Sequence, residues 1–390
     1  LSEQVAVADT GPYRPVEAHP GAAALAELRE RLAAAKRPFV IVGGGGWDAA
    51  ACADFQAFAA ANALPVGASF RCQDYLDNAH SCYAGDVGIG INPKLAERIK
   101  ASDLLLVVGA RLGEMTSSGY SLVDIPRPKQ SLIHVYPGAE ELGRVYQPDL
   151  AINAGMRAFA AALRELPPLT EKPWAKETEV AHADYLANST PVSGPGEVQL
   201  ADIVAWLRQR LPDDAIVTSG AGNYTAWLHR FFRYRRYRTQ LAPTSGSMGY
   251  GLPAAVAAKA LHPERSVVCF AGDGCFLMHG QELATAVQYG LGIIVIVVNN
   301  GMYGTIRMHQ ERDYPGRVVA TDLRNPDFAA YARAFGARGE LVERTEDFAP
   351  AFERALAAGG PALIELRTDP EAITPRSTLS EIRAAALAKG

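Results

Sequence analysis

Residues 265–304 combine two short apolar runs with a helical pattern between them, and read RSVVCFAGDGCFLMHGQELATAVQYGLGIIVIVVNNGMYG. The runs at 266–271 and 293–298 are rich in β-branched residues, and the segment from about 276 to 289 has helical periodicity. Gly290 can end that helix by taking a left-handed conformation. Because strand, helix and strand follow one another directly, we predict a βαβ unit with parallel strands.

The loops that follow the two runs carry oxygen ligands. The first reads GDG at 272–274 and the second reads NNGM at 299–302. Parallel strands place the loops beyond their carboxyl ends side by side. The carboxylate of Asp273, the amide oxygen of Asn300 and the backbone carbonyl of Met302 should therefore form one half-shell. Such an all-oxygen set suits Mg²⁺, with phosphate oxygens and water completing its octahedron.

The same loops suit a phosphate group. Glycine at 272 and 274 lets backbone N–H groups approach an anion, and a helix beginning after Gly274 would add its positive N-terminal end. A GDG turn alone is common in loops with a purely structural role. The second loop, one helix and one strand further along, favours a magnesium and phosphate site over a parallel α/β domain with coincidental loops.

The length and charge of the chain limit its class. With 390 residues it exceeds a single core, so we predict two domains. A net charge of −4 gives no electrostatic basis for binding nucleic acid or an anionic membrane. The sequence has neither a signal peptide nor an apolar stretch of about 18 residues, so we predict a soluble cytoplasmic protein. Five cysteines without a C-x-x-C pair indicate reduced thiols rather than a zinc site.

Alternating strands and helices predict an α/β fold with two doubly wound parallel-sheet domains. We predict a linker at 1–19, a Rossmann-like middle domain at 20–165, an extended linker at 166–198 and a second domain at 199–390. In the second domain, Asn325 and Pro326 form a predicted N-cap and first turn of a helix.

The most basic stretch, HRFFRYRRYR at 229–238, alternates arginine with aromatic residues. Such a composition can bind nucleic acid. Because the rest of the chain is mildly acidic, we predict instead a helix end whose arginines are solvated or face a neighbouring subunit.

A glycine run at 43–46 follows a predicted strand. It lacks the G-x-G-x-x-G spacing, with an acidic residue some 20 positions on, that marks dinucleotide binding. A tight turn and a nucleotide contact both explain it, and both stay open. A nicotinamide dehydrogenase is a third alternative, and it would depend on this run alone.

The spacing from GDG to NN resembles the pattern of thiamine-diphosphate-dependent enzymes. SGSMGYGLPAA at 245–255 and NNGMYGTIRMHQERDYPGRV at 299–318 are similar to the acetolactate-synthase-like branch of 2-oxo-acid carboligases and decarboxylases. The resemblance implies thiamine diphosphate as cofactor and Mg²⁺ held by Asp273, Asn300 and Met302.

The resemblance also implies roles for the glycine-rich segment. Met248 matches an apolar wedge beneath the cofactor, and the carbonyl of Gly246 matches the acceptor for its exocyclic amine. Both would act catalytically by keeping the cofactor bent. Asn223 and Tyr224 fall in a motif that reaches the diphosphate, and both can donate hydrogen bonds. The implied cofactor-binding residues are Asn223, Tyr224, Gly246, Ser247, Met248, Gly272, Asp273, Gly274, Cys275, Asn300, Met302, Tyr303, Gly304 and Thr305.

In this family the middle domain holds FAD, and Gly44, Gly45, Gly109 and Arg111 fall where the flavin contacts lie. The family's HIDID reads HVYPG at 134–138, and its RFDD reads RLGE from Arg111. FAD, a related nucleotide and an empty site are therefore all open for the middle domain. His309 stands where an acetolactate synthase has a tryptophan that favours a larger second oxo acid. This difference argues against a biosynthetic acetolactate synthase, and a solvated loop histidine is the alternative.

The family's proton relay uses a glutamate from a separate N-terminal pyrimidine-binding domain. The chain begins at Leu1 without such a domain ahead of its middle domain. Glu282 lies on the helix behind the metal loop and does not match the relay glutamate. We therefore predict a fragment, inactive alone, that acts on a 2-oxo acid such as pyruvate. An N-terminal pyrimidine-binding domain within a homodimer or homotetramer would complete its site. A catalytically silent module that binds a diphosphate or a nucleotide is the alternative.

Overall fold

A computed structural model describes residues 2–13 and 16–388. Residues 1, 14 and 15 of the predicted 1–19 linker and residues 389 and 390 of the predicted 199–390 domain lie outside the described residues. The described chain forms two six-stranded sheets, in both of which all strand pairs are parallel. The predicted α/β class with two doubly wound parallel sheets is confirmed.

The first sheet has the strand order β3-β2-β1-β4-β5-β6, so the order reverses between β1 and β4. A crevice at the carboxyl ends is expected at such a reversal. Its elements are α1 Ala22–Ala34, β1 Pro38–Val42, α2 Ala49–Ala61, β2 Val66–Ser69, β3 Tyr83–Val87, α3 Pro93–Ala101, β4 Leu104–Val108, β5 Ser131–Tyr136, β6 Leu150–Asn153 and α4 Met156–Glu165.

The second sheet has the strand order β11-β12-β10-β9-β7-β8 and reverses between β7 and β9. Helix α5 Ala175–Asn188 precedes it. The other elements are α6 Leu200–Arg210, β7 Ile216–Ser219, α7 Thr225–Phe231, β8 Gln240–Leu241, α8 Gly251–Leu261, β9 Val267–Gly272, α9 Asp273–Phe276, α10 Leu283–Gln288, β10 Ile294–Asn299, α11 Gly304–Asp313, α12 Phe328–Ala334, β11 Arg338–Val342, α13 Thr345–Ala357, β12 Ala362–Arg367 and α14 Leu379–Leu387.

The βαβ unit is present, with β9 and β10 adjacent and parallel and Ile294 opposite Val268. Gly290 has a φ of +60°, as a left-handed helix end requires. The single helix predicted from 276 to 289 is instead split into α9 and α10, with a 3₁₀ turn at Gly280–Glu282 between them. The break follows Phe276, which turns into the core with its ring centroid 5.5 Å from that of Phe328.

The segment 166–198 was predicted to be an extended linker. It instead contains the 14-residue helix α5. Thr178, Ala181 and Tyr185 are its buried residues, at spacings that place them on one helical face. The Tyr185 ring lies 4.8 Å from that of Tyr83 at the start of β3. The helix therefore gains its stability from packing on the first sheet, which its polar sequence does not reveal.

The basic run at 229–238 begins in the last turn of α7, and two of its arginines, together with one from α6, bind the C-terminus of α5. Arg230 donates to the Asn188 carbonyl at 2.8 Å, and Arg233 donates to Ser189 Oγ at 3.0 Å. Arg208 of α6 donates to the Ser189 carbonyl at 3.0 Å. Cations stabilise the negative end of a helix dipole. These arginines thus fix α5 to the helices of the second sheet, whereas Arg235, Arg236 and Arg238 of the same run are exposed, as predicted.

No helix within the described ranges is both long and apolar enough to cross a membrane.

Candidate functional site

The loops after β9 and β10 are joined through one carboxylate. Asp273 Oδ2 accepts a hydrogen bond from the Gly301 N–H at 2.9 Å, and Oδ1 accepts one from the Gly274 N–H at 2.8 Å. Asp273 and Asn300 line the same pocket. The parallel strands therefore bring the two predicted ligand loops together.

Asn325 also binds this carboxylate, although the sequence placed it at a helix start. Its Nδ2 donates to Asp273 Oδ2 and to Asn299 Oδ1, both at 2.8 Å. The N-cap of α12 is instead Asp327, which accepts from the Ala330 N–H. Asn325 is brought close to Asp273 because an isolated antiparallel bridge pairs Met302 with Asp322. The local sequence carries no signal for this contact.

Burial sets the electrostatics of the site. Asp273 is 3% exposed, and this burial raises the pKa of its carboxyl group above the usual range. Hydrogen bonds from Gly274, Asn325 and Gly301 oppose that rise. A divalent cation beside Asp273 would act in the same direction as these donors, because it also stabilises the ionised form.

The other two predicted metal ligands lie in the second loop. Asn300 Oδ1 accepts from the Met302 N–H at 3.2 Å, and the Met302 carbonyl accepts from the Gly304 N–H at 2.9 Å. Each oxygen retains a second lone pair. The Met302 side chain packs with Ile373 and Leu379, which fixes the backbone of the loop. Carboxylate, amide and carbonyl oxygens are the donor set that Mg²⁺ requires, so these residues fit a magnesium site.

The pocket is formed by four chain segments from the second sheet. It is lined by Ala221, Gly222, Asn223, Tyr224, Met248, Gly272, Asp273, Gly274, Cys275, Val298, Asn300, Met302, Tyr303, Gly304, Thr305 and Ile306. Of the fourteen residues predicted to bind the cofactor, Gly246 and Ser247 are not in this lining. Ser247 is exposed, with its Oγ 2.8 Å from Ser245 Oγ, and Gly246 has a φ of +73°.

The two glycines of the first loop lie against neighbouring aromatic rings that leave no room for a side chain. A Cβ on Gly272 would lie 2.7 Å from the Tyr224 ring, and one on Gly274 would lie 2.6 Å from the Tyr303 ring. The Gly274 N–H also donates to Asp273 Oδ1, so it first orients the carboxylate. The glycines therefore shape the carboxylate loop as well as opening it to an anion.

Tyr224 lines the pocket, but its hydroxyl is bound within the protein. It donates to Cys275 Sγ at 3.2 Å and accepts from the Gly220 N–H at 3.1 Å. The predicted donation from this hydroxyl to a phosphate is therefore not what the geometry favours. Burial raises the pKa of the Tyr224 hydroxyl, so it remains protonated. Cys275 Sγ also accepts from the Gly249 N–H at 3.2 Å and so supports the neighbouring Met248 segment.

Asn223 and Thr305 connect the turn after β7 to the start of α11. Thr305 Oγ1 donates to Asn223 Oδ1 at 2.9 Å and accepts from the Asn223 N–H at 3.0 Å. Helix α11 is ten residues long and begins at Gly304, in the pocket lining. Its positive end suits an anion there, whereas α9 has four residues only. His309 lies on α11, exposed and outside the lining.

A second crevice of about 660 Å³ lies between the two sheets. Gly44, Gly45 and Arg111 line it, as predicted for a nucleotide, together with Tyr75 and Tyr136. Gly109 is not in the lining, and it is closely packed, since a Cβ there would lie 2.5 Å from the Gly43 carbonyl oxygen and from the Met156 sulfur. Arg111 Nε lies 2.9 Å from the buried Glu141 carboxylate. Glycine backbone and an arginine side chain suit the phosphates of a nucleotide, and tyrosine rings suit its aromatic base.

Comparison with known proteins agrees with this geometry. Residues 25–163 match the family model of the thiamine pyrophosphate enzyme central domain, and residues 220–366 match that of the C-terminal TPP binding domain. The chain is 31% identical over 358 residues to an acetolactate synthase large subunit from Corynebacterium glutamicum, covering 88% of this chain and 56% of that protein. It is 28% identical over 346 residues to the acetolactate synthase isozyme 2 large subunit of Escherichia coli, covering 88% and 62%.

A solved structure shares the fold. It is the benzoylformate decarboxylase from Polynucleobacter necessarius, with a TM-score of 0.77, 21% sequence identity, and coverage of 95% of this chain and 68% of that one. The chain spans about six-tenths of the length of the curated relatives described above. The matched models cover the first sheet and, apart from β7 and the last residue of β12, the second, where the pocket with its paired loops lies. The chain therefore belongs to the thiamine pyrophosphate enzyme family, in its acetolactate-synthase-like branch.

Proposed function

We propose that this chain carries the magnesium and diphosphate half of the active site of a 2-oxo-acid carboligase or decarboxylase. The observation that supports this most directly is the Asp273 carboxylate, which bonds the second ligand loop at Gly301 and lines a pocket with Asn300. Asp273, Asn300 and the Met302 carbonyl would hold Mg²⁺. The backbone N–H of Thr305, at the start of α11, would bind the diphosphate, and that of Gly304 would have to leave the Met302 carbonyl to do the same.

When bound, thiamine diphosphate supplies a nucleophilic carbon that adds to a 2-oxo acid and accepts the electron pair left by loss of CO₂. The residues of this chain bind and orient. Met248, which lines the pocket, would support the cofactor from below, and the Gly246 carbonyl would accept a hydrogen bond from its amine. Cys275 and Tyr303, which line the pocket, would complete the enclosure.

We further propose the domain limits given above, with a middle domain at 20–165 and a thiamine-diphosphate domain at 199–390. Turnover would require a pyrimidine-binding domain in addition to these residues, within a cytoplasmic homo-oligomer, and pyruvate is the first substrate to test. FAD or a related nucleotide in the second crevice is part of the same proposal, supported by Gly44, Gly45 and Arg111 in its lining. Flavin absorbance of the purified protein tests that part.

Calorimetry tests the central proposal. Thiamine diphosphate should bind in the presence of Mg²⁺ and lose affinity when EDTA removes it. Asp273→Asn should weaken binding about 100-fold or more, because even the outer-shell partners of a metal ligand contribute about 10–100-fold to metal affinity. Asp327→Asn is the matched control, because Asp327 is a loop carboxylate that caps α12 outside the pocket. Binding that is indifferent to EDTA and to Asp273→Asn would exclude the proposed site.

The alternative is a silent diphosphate-binding module, which the same pocket would serve equally well. It predicts cofactor binding without pyruvate turnover, even when the pyrimidine-binding domain is supplied. Measuring CO₂ release from pyruvate by the chain joined to that domain separates the two functions.

A further inference from the structure

Arg71 links the first sheet to the segment that carries Met248. It follows β2 with a backbone φ of +63° and is 6% exposed. Its Nη1 donates to the carbonyl of Pro243 at 2.6 Å, across 172 residues of sequence. A non-glycine residue with positive φ is strained, and a buried guanidinium is costly unless it is bonded. Both features indicate that the contact with Pro243 is built into the fold.

The Met248 segment, residues 242–250 between β8 and α8, is held at both ends. At its start, the Pro243 carbonyl accepts hydrogen bonds from Arg71 and from the Gly246 N–H, the latter at 3.0 Å. Near its end, the Gly249 N–H donates to Cys275 Sγ. Met248 lies between these two anchors and packs against the core of the second sheet. Releasing the Pro243 end would therefore free the backbone that presents Met248.

The bond from Arg71 is distinct from those that hold the two sheets together. Asp74 Oδ2 accepts from the N–H groups of Thr239 and Gln240, at 3.0 and 3.2 Å. Gln73 Nε2 donates to the His229 carbonyl at 2.9 Å. These bonds fix strand β8 and α7, whereas Arg71 reaches beyond β8 into the segment itself.

The charge of Arg71 is otherwise poorly compensated. Its guanidinium lies 4.8 Å from the Phe70 ring centroid, and its Nε has no hydrogen-bond partner within residues 2–13 and 16–388. Asp86 is the carboxylate nearby, and its side chain is 4.0 Å from the His229 ring nitrogen. Arg71 therefore directs its one strong bond at the Pro243 carbonyl.

We propose that Arg71 is a positioning residue, which holds the Met248 segment through the Pro243 carbonyl and so supports the thiazolium side of the cofactor. Its hydrogen bond goes to Pro243 and not to the loops that carry Asp273 and Asn300. The inference rests on the proposed function, because it uses Met248 as the support of thiamine diphosphate.

Two probes separate the two halves of the cofactor. Inorganic pyrophosphate with Mg²⁺ uses only the Asp273 and Asn300 loops, whereas thiamine diphosphate with Mg²⁺ also uses Met248. Calorimetry on the 390-residue chain should show that Arg71→Met leaves pyrophosphate affinity within about twofold and lowers thiamine diphosphate affinity about tenfold or more, as the loss of a charged hydrogen bond does. Arg71→Lys should restore part of that loss.

Arg208→Met is the matched control, because Arg208 also bonds backbone carbonyls, those of Ser189 and Phe231, but neither belongs to the Met248 segment. It should leave the ratio of the two affinities unchanged. Amide hydrogen exchange at Gly246 and Gly249 gives a readout without cofactor, and Arg71→Met should speed exchange there while overall melting still shows a folded protein.

Each outcome decides a different point. If Arg71→Met lost affinity for both probes equally, Arg71 would support the whole fold or the diphosphate loops. If the affinities for both probes were unchanged, the Met248 segment would keep its position without Arg71. Either result overturns the positioning role. Failure of the unaltered chain to bind pyrophosphate would instead overturn the proposed function, and the inference with it.

Discussion

Replacing Glu311 by glutamine should release the C-terminal helix from the edge of the pocket. Glu311 lies on α11 and is fully buried. Its carboxylate accepts from Arg383 Nε of α14 at 2.7 Å, from Arg307 Nε at 3.0 Å and from the Gly316 N–H at 3.0 Å. Glutamine keeps the shape but loses the charge, and its amide would direct N–H groups at a guanidinium.

The magnitude follows from the titration of this carboxyl group. The hydrogen bonds from Arg383, together with those from Gly316 and Arg307, lower the pKa of Glu311 from 4.5 to about 2. At about 1.36 kcal/mol per pKa unit, that difference corresponds to about 3 kcal/mol at neutral pH. The Arg383 side chain is 37% exposed, so screening by solvent reduces the expected loss to about 2 kcal/mol.

The sign of the pH dependence is fixed by the lowered pKa. The contribution of Glu311 is fully present above pH 4.5 and is lost as the pH falls from there towards 2. Urea unfolding should therefore show Glu311→Gln to be less stable than the unaltered protein at pH 7, with the gap narrowing at pH 3. Hydrogen exchange should locate the loss in α14 and α11.

Glu353→Gln is the control, because Glu353 forms a comparable pair with Arg210 on the surface. Surface pairs contribute little, so this variant should be indistinguishable from the unaltered protein at both pH values. If Glu311→Gln behaved in the same way, or if its deficit persisted undiminished at pH 3, the ion pair would not be what holds α14.

Two substitutions in the pocket test its geometry. Gly274→Ala should abolish pyrophosphate binding, because its Cβ would lie 2.6 Å from the Tyr303 ring. Gly45→Ala is the control and should leave pyrophosphate binding unchanged, because its Cβ would meet open space. Calorimetry with pyrophosphate compares the two variants. Tyr224→Phe should lower stability by about 1 kcal/mol through loss of its bond to Cys275, with pyrophosphate affinity unchanged in the same assay; a tenfold drop in affinity would show that the hydroxyl faces the ligand.

What the sequence could predict here depends on how local the cause is. The parallel pairing of β9 with β10 follows from two β-branched runs with a helical segment between them, all within one stretch of chain. The split of the predicted helix does not, because it depends on Phe276 meeting Phe328 from another segment. Helix α5 was missed for the same reason, since its buried face is defined by the first sheet.

The site divides in the same way. Asp273 and Asn300 could be placed because each follows its strand directly, and parallel strands bring such positions together. Asn325 could not, because its bond to Asp273 spans 52 residues and requires the return of the chain after Met302. The Tyr224 hydroxyl was predicted to donate to a phosphate. The residue type alone does not reveal that this hydroxyl donates to Cys275 Sγ instead.

The two parts of the pocket, the diphosphate loops and the Met248 segment, are held by different regions of the chain, so they should lose function separately. The diphosphate loops are held by contacts within the second sheet and its own returning chain, so they should tolerate changes in the first sheet. The Met248 segment takes one of its two anchors from Arg71, which follows β2 of the first sheet. Substitutions in the first sheet near Arg71 should therefore reach the cofactor through Met248 and weaken its thiazolium side before its diphosphate side.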